Sequence, residues 1–140
     1  MPEKNQVCTA EITGLTAEGS GVCRVDGMAV FVPGTAVGDM AEIKIVKVLK
    51  SYAFGIVERI ITPSPDRVEN TCSVYKQCGG CLLRHISYEA ECRTKDGIVR
   101  DAFTRIGGLT PKFDSFLGAE ATEHYRNKAQ YPLAVQDGKA

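Results

Sequence analysis

The sequence predicts a mainly β fold: a small barrel of five short strands, followed by a mixed α+β part of which only the start is present. Three observations lead there. Residues 6–62 break into five short β-rich runs separated by Gly and Pro turns. Pro63 and Pro65 then stop the pattern, because proline removes ladder donors and restricts the residue before it. Past Ser87 the apolar spacing becomes helical.

The five runs are Val7 to Leu15, Val22 to Asp26, Met28 to Val32, Met40 to Leu49 and Tyr52 to Ile61. Asp26-Gly27 is a two-residue hairpin signal, and Pro33-Gly34 with Val37-Gly38-Asp39 supplies the next turn, so the strands are expected to be antiparallel neighbours. In the fourth run Ile43 and Ile45 alternate imperfectly with Lys44, Val46 and Lys47; the slip predicts a bulge. Closing five such strands into a barrel of the oligonucleotide-binding type removes aggregation-prone edges, with a two-sheet sandwich as the alternative. The prolines place the domain boundary, giving a barrel at 1–62, a Pro-rich linker at 63–71 and the opening of a second domain at 72–140.

In that second part Tyr88, Cys92, Val99, Ala102, Phe103 and Ile106 recur near helical spacing before Gly107-Gly108, which predicts one helix over about 87–106. Tyr125 to Val135 reads as a strand and Asp137-Gly138 as a hairpin turn with no returning strand. Backbone groups left without partners there imply that the chain is part of a longer protein.

Composition sets the outer limits. Hydrophobic residues make up 44% and charged residues 24%, near the averages for globular proteins, which argues against wholesale disorder. The polar opening and the lack of a long apolar run give no support to export or membrane insertion, so a cytoplasmic location is expected. Lys plus Arg equals Asp plus Glu at 17 each, so net charge does not draw the chain to nucleic acid. Oligomeric state is not legible.

The most informative stretch is Cys72-Ser73-Val74-Tyr75-Lys76-Gln77-Cys78-Gly79-Gly80-Cys81. Two thiolates two residues apart can reach one metal centre without long-range folding, and the glycines let backbone N–H groups turn toward sulfur. Three buried, unliganded cysteines are the plain alternative, but ten residues beside Pro-rich and Gly-rich backbone make a poor core. Spacing alone leaves the metal open, since Cys72, Cys78, Cys81 and His85 also suit a zinc site. Cys92 either completes an all-thiolate site of four or, as its place on the apolar helix face with Tyr88 and Val99 favours, packs there; Cys8 and Cys23 are assigned to packing in strands. His85 and His124 fit no Ser/His/Asp or two-histidine motif and are expected at the surface or in capping roles.

The array Cys72-x5-Cys78-Gly79-Gly80-Cys81, followed by His85 and Tyr88, resembles the iron-sulfur segment of RNA uracil-5-methyltransferases. Phe31-Val32-Pro33-Gly34, Pro63-Ser64-Pro65-x-Arg67, Arg105-Ile106-Gly107-Gly108 and Tyr125-Arg126-Asn127-Lys128 look like the same family. Leu82 and Arg84 depart from it where relatives often carry glutamine, which blurs the subgroup.

The resemblance implies a TRAM-type barrel that binds RNA over residues 6–62, and a 4Fe-4S cluster taking Cys72, Cys78 and Cys81 as three ligands with a fourth from beyond Ala140. It also implies methyl transfer from S-adenosylmethionine to carbon 5 of uridine, in ribosomal RNA more than transfer RNA. The catalytic cysteine and carboxylate of that reaction, and a Gly-rich nucleotide loop, have no counterpart here, so these 140 residues alone are expected to be inactive. Arg126 and Lys128, on one face of the expected last strand, are the candidate RNA contacts, with exposed solvated charge as the equal alternative. Lys44, Lys47 and Lys50 form a second basic stretch, to which no specific readout is assigned. The rival from another class is a non-catalytic RNA-binding module with the structural zinc site.

Overall fold

The computed structural model describes residues 1–128 and Gln130. Its first half is a curled six-stranded sheet in the order β1-β5-β6-β4-β3-β2. The strands are β1 Val7–Glu11, β2 Gly14–Leu15, β3 Ser20–Val25, β4 Met28–Pro33, β5 Met40–Val48 and β6 Tyr52–Thr62. The mainly β prediction holds, with one strand more than expected, because the first apolar run is two strands.

That run changes partners halfway. β1 pairs antiparallel with β5, setting Val7 opposite Lys44 and Glu11 opposite Met40, while β2 pairs with β3. Between them, the Ile12 N–H donates to the Asp39 carbonyl at 2.9 Å and the Ile12 carbonyl accepts from Gly38 N–H at 2.8 Å. The two edge strands of the sheet are therefore consecutive pieces of one chain segment, which curls the sheet toward closure.

A second correction concerns direction. β3–β4 and β5–β6 are antiparallel as expected, but β4 and β6 run parallel, with Ala29, Val30 and Phe31 beside Tyr52, Ala53 and Phe54. Parallel neighbours need a crossover, and β5 supplies it. The expected bulge in β5 is present as register shifts at Met40/Ala41, Glu42/Ile43 and Ile45/Lys47.

Alternate residues point inward, and Ala10, Ile12, Cys23, Val25, Val30, Val32, Ala41, Ile43, Ile45 and Ala53 form the core. Cys23 is fully buried and Cys8 packs against this core, as the strand phase predicts. Burial pushes the Cys23 thiol up to about 11, with Cys8 adding to the rise, and burial also raises Cys8, with Asp26 adding.

β6 ends at Thr62, just before Pro63. A short helix α1, Tyr75–Cys78, and a longer one α2, Tyr88–Asp101, follow, and a π-helical turn Ala102–Ile106 extends α2. The Ser87 side chain caps α2 by accepting from Ala90 N–H at 3.2 Å, as a serine at that position does. The residue that α2 buries is Ala90, which joins Ala36 and Ile86 in a small second core flanked by Leu15 and Leu83. This differs from the expected face: Val99, Phe103 and Ile106 are 46%, 41% and 87% exposed. Cys92 is half-buried beside Tyr88, near Gly118. The helix docks through a small residue that lets its backbone approach the barrel, which hydrophobicity alone does not reveal.

Tyr125 to Lys128 form no strand, and no described strand lies beside them to supply a ladder. The remainder of that expected strand and the Asp137-Gly138 turn lie outside the described residues. Among the described residues no helix is long and apolar enough to cross a membrane.

Candidate functional site

The cysteine loop is carried on the barrel by two buried polar anchors. The first is Asp39, fully buried in the turn before β5. Its Oδ1 accepts from Ser64 N–H at 2.8 Å and from Arg67 Nε at 2.8 Å; its Oδ2 accepts from Ala36 N–H at 2.6 Å and from an Arg67 terminal nitrogen at 2.7 Å. That nitrogen also donates to the Gly34 carbonyl at 2.9 Å. Burial alone would raise this carboxyl. The hydrogen bonds from Arg67, Ala36 and Ser64 and the charge of Arg67 outweigh it and hold Asp39 below its ordinary value. One residue thus ties the loop before β5 to the segment that follows the barrel.

The second anchor is His85, only 6% exposed. Its Nε2 lies 2.9 Å from the Thr35 carbonyl, which can only accept, so Nε2 carries the hydrogen. In the neutral ring Nδ1 then accepts from the Tyr75 hydroxyl at 3.0 Å. Tyr75 opens α1, three residues before Cys78, so this relay runs from the barrel into the cysteine array. Both histidines were expected at the surface or in capping roles; His85 is instead an interior strut. Both of its ring nitrogens are engaged, and a His85 ligand to zinc would have to break one of these bonds.

Replacing His85 with alanine is expected to cost about 2 kcal/mol of stability, because the buried Thr35 carbonyl loses its donor, and Tyr75→Phe about 1 kcal/mol. Urea unfolding of the two variants measures this, and stability equal to the parent in both contradicts the relay.

Cys78 ends α1, where Gly79 takes the left-handed conformation (φ 65°) that turns the chain back toward Cys81. Cys78 and Cys81 are exposed and Cys72 is half-buried. The hydrogen bond to Glu123, at 3.0 Å, raises the Arg84 guanidinium above its ordinary value. Burial raises the Tyr75 phenol, with Cys81 adding and Arg67 opposing. The loop packs on the barrel as well: a Cβ placed on Gly19, in the turn between β2 and β3, would meet Leu82 at 3.0 Å.

Among the described residues, no three His, Cys, Asp or Glu side chains are gathered as a ready ligand set. Arg126 and Lys128 are both exposed, far along the chain from the barrel strands. Sequence reasoning missed Asp39, Arg67 as its partner, and the inward role of His85. The one available signal was an acidic residue in a turn followed by an arginine past the prolines, and nothing local pairs them.

A small curled β-barrel carrying a thiol-rich loop on buried polar struts is the architecture these residues define. Residues 3–57 match the TRAM domain. Along nearly its whole length it is related to bacterial RNA methyltransferases. An uncharacterized RNA methyltransferase of Clostridium tetani is 40% identical over 98% of this chain, and one of Halalkalibacterium halodurans is 45% identical over 96%. The chain spans 30% of the length of each of these relatives. Among solved structures, the tRNA (uracil-54, C5)-methyltransferase of Pyrococcus abyssi in complex with S-adenosyl-L-homocysteine is similar over 71% of this chain and 21% of that one. The identity is 25% and the TM-score 0.40, too low to equate the two folds.

Proposed function

We propose that the chain is the RNA-gripping and cluster-bearing part of a cytoplasmic, S-adenosylmethionine-dependent methyltransferase that modifies carbon 5 of uridine in RNA, ribosomal rather than transfer. The observation that carries this reading is the Cys72-x5-Cys78-x2-Cys81 array, presented on a TRAM barrel in a chain related to RNA methyltransferases.

A 4Fe-4S cluster suits the donors present. Three thiols are soft ligands, and two of them, Cys78 and Cys81, are open to solvent. Cys72, Cys78 and Cys81 would hold three irons, with the fourth ligand from outside this chain. When bound, such a group supplies iron–thiolate cross-links to an otherwise exposed loop. The residues of this chain do the positioning: Tyr75 and His85 fix the start of the array against the Thr35 carbonyl, and Asp39 with Arg67 fixes the approach to it.

Full-length protein purified without oxygen is expected to be brown, with iron and sulfide in equal amounts, and Cys72→Ser, Cys78→Ser and Cys81→Ser each to lose that iron. Colourless protein holding one equivalent of zinc defeats the cluster assignment. For the reaction, RNA tritiated at uridine carbon 5 should release tritium when S-adenosylmethionine is added, from ribosomal and not transfer RNA. Methyl incorporation without tritium release rules out carbon 5.

A further inference from the structure

The outer face of the barrel carries a group of side chains that the cysteine loop does not use. Because β4 and β6 are parallel neighbours, Phe31 lies beside Phe54 and Ala29 beside Tyr52. The three rings form a closed group, with centroids 5.5 Å apart for Phe31 and Tyr52, 5.9 Å for Phe31 and Phe54, and 5.5 Å for Tyr52 and Phe54. All three are half-buried, while Val30, Val32 and Ala53 on the other side of the same strands fill the core. A sheet face left open to solvent is ordinarily polar, so three aromatic rings gathered there call for a ligand.

The register extends the group into a row across four strands. Val22 on β3 lies opposite Phe31, and Lys47 on β5 opposite Phe54. In the next row Arg24 lies opposite Ala29, the neighbour of Tyr52. Lys44, opposite Ile56, continues the basic side. Cations therefore flank the aromatic centre on both sides. Among the described residues Arg24, Lys44 and Lys47 form no ion pair with a carboxylate, and Asp26, the acid nearest Arg24 in the chain, faces the Met1 amino group at 3.4 Å. The rings of Phe31 and Tyr52, and those of Tyr52 and Phe54, meet edge to face at 68° and 84°, so the group offers π-faces in more than one direction.

A duplex keeps its bases stacked inside, whereas single-stranded RNA can lay them on aromatic rings while its phosphates meet lysine and arginine. We infer that Phe31, Tyr52 and Phe54 are a base-stacking platform for single-stranded RNA, with Lys47 and Arg24 neutralising phosphates on its two sides. This rests on the RNA-binding part of the proposed function and adds where, and in which form, the RNA is held. With a net charge of zero, the chain should hold RNA by stacking more than by counterion release, and its affinity should fall only shallowly with salt.

The test is fluorescence anisotropy of this chain with a labelled single-stranded oligouridine and with a duplex of equal length. Tyr52→Leu and Phe54→Leu keep apolar bulk but remove the π-face, and each should weaken single-strand binding about tenfold. Lys47→Ala should reduce the salt slope by about one. The duplex should bind far more weakly than the single strand. If a leucine variant unfolds, as judged by circular dichroism, the Lys47→Ala slope decides. The platform is overturned if folded leucine variants bind like the parent while an Arg126→Ala, Lys128→Ala double variant loses binding, an outcome that leaves the RNA reading intact. It is equally overturned if the face joins two copies of the chain, seen as a dimer that the leucine variants dissolve. A parent chain with no affinity for either RNA removes the RNA reading and the platform together.

Discussion

Replacing Asp39 with alanine is expected to destabilise the protein by about 3–5 kcal/mol. The carboxylate is fully buried and saturated by four hydrogen bonds; without it Arg67, itself only 23% exposed, keeps a charge with no counterion. The amides of Ala36 and Ser64 lose their acceptor at the same time. Urea unfolding at neutral pH measures the loss, and a midpoint within error of the parent contradicts the anchoring role.

The same residue gives the parent a pH dependence with a defined sign. Its carboxyl is held below the ordinary value in the folded chain, so the unfolded chain takes up a proton first as pH falls. The stability Asp39 contributes is fully present above the unfolded carboxylate range, about pH 4, and is lost as pH drops through the lower folded value. Asp39→Asn should flatten that part of the acid profile. An unchanged acid limb would mean that other carboxylates dominate it.

Gly21→Ala is expected to cost about 3 kcal/mol, at the upper end for overpacking. A Cβ at this buried position would run into Thr35 Oγ1 and stand 2.9 Å from Ile12 Cγ2. Neither neighbour can move freely, since the Thr35 hydroxyl donates to the Val32 carbonyl at 2.8 Å and both residues are fully buried. Ile12 is where the first run changes partners and Thr35 receives the His85 bond, so the disturbance reaches the cysteine loop as well. A Gly21→Ala chain that melts with the parent, with His85 protected as before, would show that the loop can yield. By contrast Gly27→Ala meets no atom within 4 Å, and its cost comes only from a left-handed backbone (φ 81°).

What was legible in the sequence was whatever local pattern controls. The alternation of Ile43 and Ile45 located β5 and its bulge, Asp26-Gly27 located a hairpin, Ser87 marked a helix start, and the phase of Cys8, Ala10 and Ile12 placed them inward. What stayed hidden depends on which strand lies beside which. Nothing within Val7 to Leu15 announces that the chain leaves β5 for β3 at Ile12, because the switch is made by backbone bonds to Gly38 and Asp39. Tyr52 and Phe54 share one face by their spacing, but only the parallel β4–β6 pairing brings Phe31 to them.

The site divides in the same way. The thiols were visible as a motif because metal ligands cluster in sequence, whereas His85, Asp39 and Arg67 act across 28 to 50 positions of chain and read locally as surface or turn residues. Arg126 and Lys128 were chosen from an expected strand that the described residues do not form.

The change of partners within the first run has an implication for how the molecule comes into being. β1 is synthesised well ahead of its partner, so its ladder cannot zip until β5 has emerged, and the parallel contact of β4 waits longer still for β6. The β3–β4 hairpin, with the shortest loop to close, is free to form early, while the leading peptide idles beside it as an unmatched edge. Any fusion or truncation that delays or removes Val7–Glu11 therefore acts on a seam that closes late, and leaves β5 offering its open side to other chains.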